Sequence, residues 1–318
     1  MTRLFRDTDG SCLAPHGSVV CIGAFDGVHR GHEALLARVR ERARATGRAA
    51  VALGFEPLPR QHFLGRGGVA RLSRPAERIE RLGRYADLVG LLRFDARLAA
   101  TEAEDFVRRV LVARLATREV WVGPGFRFGR ARRGDVALLR ALGAEHAFGV
   151  HEIEPVLVEG ERASATRVRE LLAAGDFDAA ATLLGRRYAM SGRVVHGRKL
   201  GRQLGYPTAN LALRWGRAPV HGIFAVRVHG AGLRHWPAVA SLGTRPTVAG
   251  VEPLLEVHLF DFDGDLYGQR LAVEFVAKIR DEAKFDSLDA LTAQMHRDAA
   301  DARAALRRDV SLEEALVS

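Results

Sequence analysis

Two histidines three residues apart, His29 and His32, stand in the run GAFDGVHRGH (Gly23 to His32). The apolar run VVCI before it reads as a buried strand. After it, EALLARVRERA carries Leu35, Leu36 and Val39 at helical spacing, so the motif sits on a strand-loop-helix corner. Gly23 and Gly27 permit unusual backbone angles and close ligand approach. The helix start supplies free N–H groups and the positive end of a dipole. If the first turn begins by His29, the two imidazoles share a face there. They could then donate hydrogen bonds to phosphate oxygens as charge builds during displacement at phosphorus. Zinc is the weaker reading of the pair, because no third and fourth ligands follow at a suitable spacing.

A second constellation lies in GRKLGRQLGYPTANL (Gly197 to Leu211). Gly197, Gly201 and Gly205 recur every four residues, interleaved with Arg198, Lys199 and Arg202. The result is a cationic loop suited to ATP phosphates. Pro207 stiffens its exit. The Thr208 hydroxyl and the Asn210 carbonyl offer neutral oxygens that a hard cation such as Mg²⁺ accepts. Two familiar phosphate motifs are excluded: none of the three lysines (Lys199, Lys278, Lys284) lies in a Walker pattern, and no GxGxxG follows the first strand.

The chain has 318 residues, enough for two domains, with 47% hydrophobic and 27% charged residues. It has no apolar run long enough to span a bilayer, and its charged opening, MTRLFRDTDG, lacks the apolar segment of a secretory signal. A cytoplasmic protein with no membrane partner is expected. Cys12 and Cys21 are too few for a disulfide scaffold, and Cys21 falls inside the first apolar strand. The net charge is +10, and no Asp or Glu occurs from Arg186 to Val251, a segment that could attract polyphosphate or nucleic acid.

The elements that must hold these residues follow from periodicity. From Ser18 to Phe148, apolar runs (SVVCIGA, RAAVALGF, ADLVGLLRF, EVWVG, AFGVHEI) alternate with helical patterns near 33–44, 75–84, 102–116 and 135–142, as in a parallel sheet covered by helices. Two short helices follow at 164–173 and 176–184, the second capped by Asp176. After Tyr188 the alternation of apolar and polar residues with glycine-rich turns predicts antiparallel strands in a small barrel, ending in a helix over about 287–308. The expected domains are 1–185 and 186–318.

GAFDGVHRGH resembles the HxGH signature of the nucleotidyltransferase superfamily, in the version found in bacterial bifunctional riboflavin kinase/FAD synthetases. FEPLPR (55–60), VGPGFRFGRARRGD (122–135), ASATRVRELL (163–172) and LLGRRY (183–188) follow in order, and LEVHLFDF (255–262) with DLYGQRLAVEFVAKIRDEAKF (265–285) extends the likeness to about Arg303. The resemblance implies a Rossmann-like adenylyltransferase domain and a riboflavin kinase barrel. In the first, Gly23, Phe25, Asp26, Gly27, Gly31, His29 and His32 would serve ATP, with Ser164, Thr166, Arg167 and Arg169 as a second phosphate segment. In the second, Thr208 and Asn210 would organise metal and nucleotide, and Glu256 would act as base on a flavin ribityl hydroxyl. Riboflavin, FMN and ATP are the implied substrates and Mg²⁺ the implied cofactor, with no nucleic-acid partner.

Four positions depart from the family pattern. Ala24 stands for the usual Asn, Leu58 for the His of FEPHPR, Pro124-Gly125 for an acidic stretch, and Ala165 for the middle Ser of SST. Each removes a polar group, so a riboflavin kinase with a degenerate first domain is one alternative. A basic nucleic-acid-binding regulator is another, though no standard nucleic-acid motif is present. Aminoacyl-tRNA synthetases share the HxGH corner, but no KMSKS-type lysine motif accompanies it.

Overall fold

A computed structural model describes residues 2–65, 67–197, 200–213, 216–247 and 250–315. They form two compact units that part at Ala165/Thr166. The first unit contains β1 (Arg3–Phe5), β2 (Ser18–Ile22), α1 (Arg30–Ala45), β3 (Ala49–Glu56), α2 (Pro59–Leu64), α3 (Pro75–Gly83), β4 (Leu88–Arg93), α4 (Ala96–Ala99) and α5 (Ala103–Phe106). A π-helix over Val107–Arg114 extends α5, and β5 (Thr117–Val122), α6 (Val136–Glu145), β6 (Gly149–Glu152) and the hairpin β7 (Leu157–Val158) and β8 (Glu161–Arg162) complete the unit.

Strands β1 to β6 form one parallel sheet in the order β1-β4-β3-β2-β5-β6. The alternation of side chains along each strand creates two cores. Val20, Ile22, Val51 and Leu53 pack with Phe106, Leu111 and Leu139 on one face. Val19, Cys21, Ala50 and Ala52 pack with Leu36, Val39 and Leu82 on the other. The order reverses at β2, whose successor β3 lies on one side while β5 lies on the other. In open α/β sheets, the carboxyl end at such a reversal is where ligands bind. The His29 corner emerges there, directly after β2.

The second unit contains α7 (Ala165–Ala174), α8 (Phe177–Leu184), β9 (Ala189–Val195), α9 (Leu200–Gln203), β10 (Ala209–Ala212), β11 (Gly222–Gly230), β12 (Leu233–Thr247), β13 (Gly250–Leu259), β14 (Arg270–Arg280) and α10 (Leu288–Ala315). Strands β9 to β14 close into an antiparallel barrel in the order β10-β13-β12-β11-β14-β9. Leu211, Phe224, Val226, Leu242, Leu255, Val257 and Phe275 are fully buried in this unit. Ala302, Ala305 and Leu306 of α10 cluster with Ala225, Val276 and Phe260 of the barrel.

The sequence places the domain boundary at 185/186, whereas the compact units part twenty residues earlier. The reason is the packing of α8: its Phe177 meets Phe224 and Phe275 of the barrel, each at 5.8 Å between ring centroids. Asp176 caps α8 as expected, accepting a hydrogen bond from the Ala179 N–H at 3.0 Å. Strand β1 is not foreseen by periodicity, being three residues long at the sheet edge.

Candidate active sites

In the first unit, α1 begins at Arg30 with His29 as its N-cap residue, so both histidines stand in the first turn. The His32 N–H donates to the His29 carbonyl at 2.8 Å, and the two rings stack with centroids 3.7 Å apart. Phe25, fully buried, meets the edge of His32 at 5.1 Å. Burial, then the neighbouring His29 and Arg78, hold the His32 imidazole neutral, well below the usual histidine range. Its Nδ1 is buried without a hydrogen-bond partner among the described residues. Gly31 is needed for close approach: a Cβ there would lie 3.0 Å from the Ala163 carbonyl oxygen and 3.1 Å from His29 Nδ1. The helix start and the segment leading to Ser164 are thereby brought together.

The loop that delivers the histidines is strained. Phe25 and Val28 have positive φ (51° and 44°), and strain of this kind persists only where the surroundings over-determine it, while Gly27 between them takes its φ of 80° without cost. Asp26 supplies one restraint. It is 1% exposed, and its carboxylate accepts hydrogen bonds from the N–H groups of Leu72 and Ser73 at 3.1 Å. The Ser73 Oγ in turn accepts from the Gly27 N–H at 2.9 Å. Arg78 supplies another. Fully buried, it donates to the Ala24 carbonyl at 2.9 Å and the Phe55 carbonyl at 3.0 Å, and pairs with Glu56. Arg71 forms a two-pronged pair with the same Glu56 at 2.9 and 2.7 Å.

Burial lowers Arg78 to about 10 despite the Glu56 charge. Burial alone would raise Glu56, but the hydrogen bonds and charge of Arg71 outweigh it and hold the carboxyl below its ordinary value. Sequence reasoning missed Arg78, Arg71, Glu56 and Ser73. The available signal was an arginine on the row of α3 that also carries buried Leu82, four residues on. Replacing Arg78 with Met should destabilise the protein by about 3–5 kcal/mol, the scale for breaking a buried pair. Urea unfolding followed by circular dichroism checks this, and an unchanged midpoint would show that Glu56 and the two carbonyls find other partners.

In the second unit, the register of the barrel assembles the other constellation. Glu256 of β13 stands opposite Asn210 of β10 on one side and Ser241 of β12 on the other. The three side chains form a row on the outer face, since Leu255 and Val257 point into the fully buried interior. This row lines a cavity of about 850 Å³ that also takes in Gly197, Thr208 and the start of α10 near Leu288 and Leu291. That volume is ample for a nucleotide or flavin ring system.

Gly197 lies against Asn210, where a Cβ would come within 2.5 Å of Nδ2. At Gly201 a Cβ would meet the Tyr206 carbonyl oxygen at 2.3 Å, and Gly205 has φ +81°. Each glycine therefore has its own steric reason. The Asn210 Nδ2 donates to the Thr208 carbonyl at 3.4 Å, and His258 Nδ1 donates to the Pro207 carbonyl at 2.9 Å. The sequence reading did not single out Ser241 or His258. Arg198 and Lys199 lie outside the described residues, as does the side chain of Arg202. With Thr208 and Asn210 presenting neutral oxygens beside the Glu256 carboxylate, the donor set suits a hard divalent cation.

The family pattern described as riboflavin kinase matches residues 184–306, and that described as FAD synthetase matches residues 13–167. The chain is 47% identical to the bifunctional riboflavin kinase/FMN adenylyltransferase of Pseudomonas fluorescens over 91% of its own length and 93% of that protein. It is 44% identical to the protein so described from Escherichia coli K12, over 95% and 97% of the two chains. The chain belongs to the bifunctional riboflavin kinase/FMN adenylyltransferase family. A crystal structure described as a macrolide-efflux protein from Streptococcus pneumoniae shares the fold, with a TM-score of 0.79 and 31% identity over 95% of this chain and 98% of that one. Among the described residues of this chain, no helix is long and apolar enough to cross a membrane.

Of the residues expected to form a second phosphate segment, Ser164 lies near the end of the first unit, while Thr166, Arg167 and Arg169 stand on α7 in the second. Arg167 lies 3.6 Å from Glu170. Two of the four departures, Ala24 and Leu58, have local explanations. Ala24 presents an exposed side chain while its carbonyl is held by Arg78, so the missing Asn leaves the backbone of the loop in place. Leu58 is 3% exposed at the start of α2, so core packing stands where the family carries an imidazole. At Gly125 the N–H donates to Glu152 at 3.2 Å.

Proposed function

We propose that the protein phosphorylates riboflavin with ATP in the barrel unit, giving FMN, and transfers AMP from a second ATP to FMN in the parallel-sheet unit, giving FAD and pyrophosphate. Residues 1–185 serve the second reaction and 186–318 the first, in the cytoplasm. The observation that carries the reading is the presence of two separate constellations, the histidine pair at the carboxyl end of the sheet where the strand order reverses and the Asn210, Glu256, Ser241 row along the barrel's cavity.

In the kinase step, the Glu256 carboxylate takes the proton of the ribityl hydroxyl as that oxygen bonds to the γ-phosphorus of ATP and ADP leaves. Gly197, Gly201 and Pro207 shape the loop over the phosphates, and Arg198, Lys199 and Arg202 of the same stretch of sequence supply the positive charge that offsets them. Thr208 and Asn210 would hold Mg²⁺, which supplies charge neutralisation to the phosphates when bound. In the adenylyl step, a phosphate oxygen of FMN bonds to the α-phosphorus of ATP and pyrophosphate departs. His29 and His32 donate to the phosphate oxygens where charge accumulates, aided by the α1 N-terminus, with Gly23, Phe25, Gly27 and Gly31 setting the close approach. Asp26 acts through the loop, because its carboxylate is already engaged by Leu72 and Ser73. Ser164, Thr166, Arg167 and Arg169 serve the second phosphate contact, where arginine suits phosphate geometry.

Purified protein given riboflavin, excess ATP and Mg²⁺ should form FMN first and then convert it to FAD, as followed by chromatography. FMN that accumulates without FAD would retain the kinase and remove the adenylyltransferase. The absence of any flavin product, with a known family member active in parallel, would overturn both assignments.

A further inference from the structure

Away from the Glu256 cavity, the described residues gather one group of three side chains able to ligate a metal: His229, His235 and Glu274. His229 stands on β11 just before the turn into β12, His235 just after it, and Glu274 on β14. In register, His229 faces Ala272 while Arg227 faces Glu274, so His229 and Glu274 are diagonal neighbours on the outer wall. His229 Nε2 lies 3.8 Å from Glu274 Oε2. The His229 and His235 rings meet edge to face with centroids 4.5 Å apart. One ligand atom from each residue lies within 4.8 Å of the others.

Two further features single out this corner. His229 Nε2 is buried and without a hydrogen-bond partner among the described residues, a state that native interiors mostly avoid. The backbone also bends to bring the residues together. Pairing slips between Val228 and Gly230, and His235 is held at φ 50°, an uncommon conformation for a residue with a side chain. Of the nearby cations, Arg227 is paired with Asp309 at 2.6 Å and Arg234 is exposed.

We propose that His229, His235 and Glu274 form a binding site for one divalent transition-metal ion, zinc or a close analogue. Two imidazoles and a carboxylate with a fourth position left for water are a zinc donor set. Zinc bonds of about 2.0–2.2 Å place tetrahedral ligand atoms roughly 3.4 Å apart. The His229–Glu274 pair, at 3.8 Å, is already close to that spacing, and with all three ligand atoms within 4.8 Å of one another small side-chain movements complete the set. The His235 N–H reaches His229 Nδ1 at 3.4 Å, a long contact. At that length the backbone N–H does not fix the tautomer, so Nδ1 can carry the ring proton while Nε2 ligates.

The test is zinc titration of the tag-free full-length protein by calorimetry, without nucleotide or flavin, with cobalt(II) added separately for its ligand-field spectrum. One equivalent should bind, with a tetrahedral cobalt spectrum. His229→Ala and His235→Ala should each weaken zinc binding by at least about 10- to 100-fold, the scale for disturbing a metal site. Zinc should also raise the thermal midpoint of the wild type and not that of the variants. The exposed His235→Ala should form FMN with Mg-ATP at the wild-type rate, which separates this ion from the cation used with ATP. No stoichiometric zinc in the wild type, or equal zinc affinity in the variants, would overturn the site.

Discussion

Glu256→Gln should lower FMN formation by about 10²- to 10⁴-fold, the contribution of a positioned general base, and leave the conversion of supplied FMN to FAD at its wild-type rate. The row Asn210, Glu256, Ser241 places the carboxylate between the neutral side chains of Asn210 and Ser241 and along the wall of the 850 Å³ cavity. Gln keeps the shape and the strand position but cannot accept the proton. The loss should therefore fall on kcat, with the KM values for riboflavin and ATP moving little. Steady-state chromatography of both products from one preparation is the measurement. A variant that makes FMN at near-wild-type rate would remove Glu256 from the chemistry and leave it an ordinary acid of the barrel wall.

The second large effect belongs to the other unit. His32→Asn should reduce FAD formation from FMN by about 10²- to 10³-fold, as the removal of one oxyanion-type donor does, with riboflavin phosphorylation unaffected. Because His32 is held neutral, its role is that of a hydrogen-bond donor, and the rate should not fall as pH rises through the ordinary histidine range. The same depressed proton affinity has a cost in acid. Below its ordinary pKa the unfolded chain binds a proton at His32 that the folded chain refuses, so this group's contribution to stability is lost as pH falls. A variant with wild-type FAD production would show that His29 and the helix N-terminus suffice.

Much of the fold was legible because burial is periodic. Strands β2 to β6 and their helices follow from apolar runs and 3.6-residue spacing, and the six-strand parallel sheet and antiparallel barrel agree with the expected architecture. Strand β1 escaped because the three residues Arg3 to Phe5 are too few to show a period, and their place at the sheet edge asks for none. At the sites, the local motifs could be read because HxGH and PTAN are short contiguous stretches. The supports could not. Arg78 is visible only as a charge on an apolar row until the folded chain shows which carbonyls it holds. The neighbours of Glu256 are set by a strand register that joins Asn210 and Ser241 from distant parts of the chain, and no spacing in one dimension records it.

Barrel closure carries a consequence for synthesis. Strand β9 pairs with β10 on one side and with β14 on the other, where Ala189 meets Glu274. A nascent chain can complete the parallel sheet once β6 has left the ribosome, because all of its strands are then present. The barrel must wait, with one edge of β9 unpaired, until β14, the last strand, arrives. Non-local pairing of this kind is slow, and an open strand edge invites association with other chains. Chaperone dependence, and the yield of protein when translation stalls or truncates late in the gene, should therefore fall mainly on the flavin-phosphorylating half, while the adenylylating half emerges already folded.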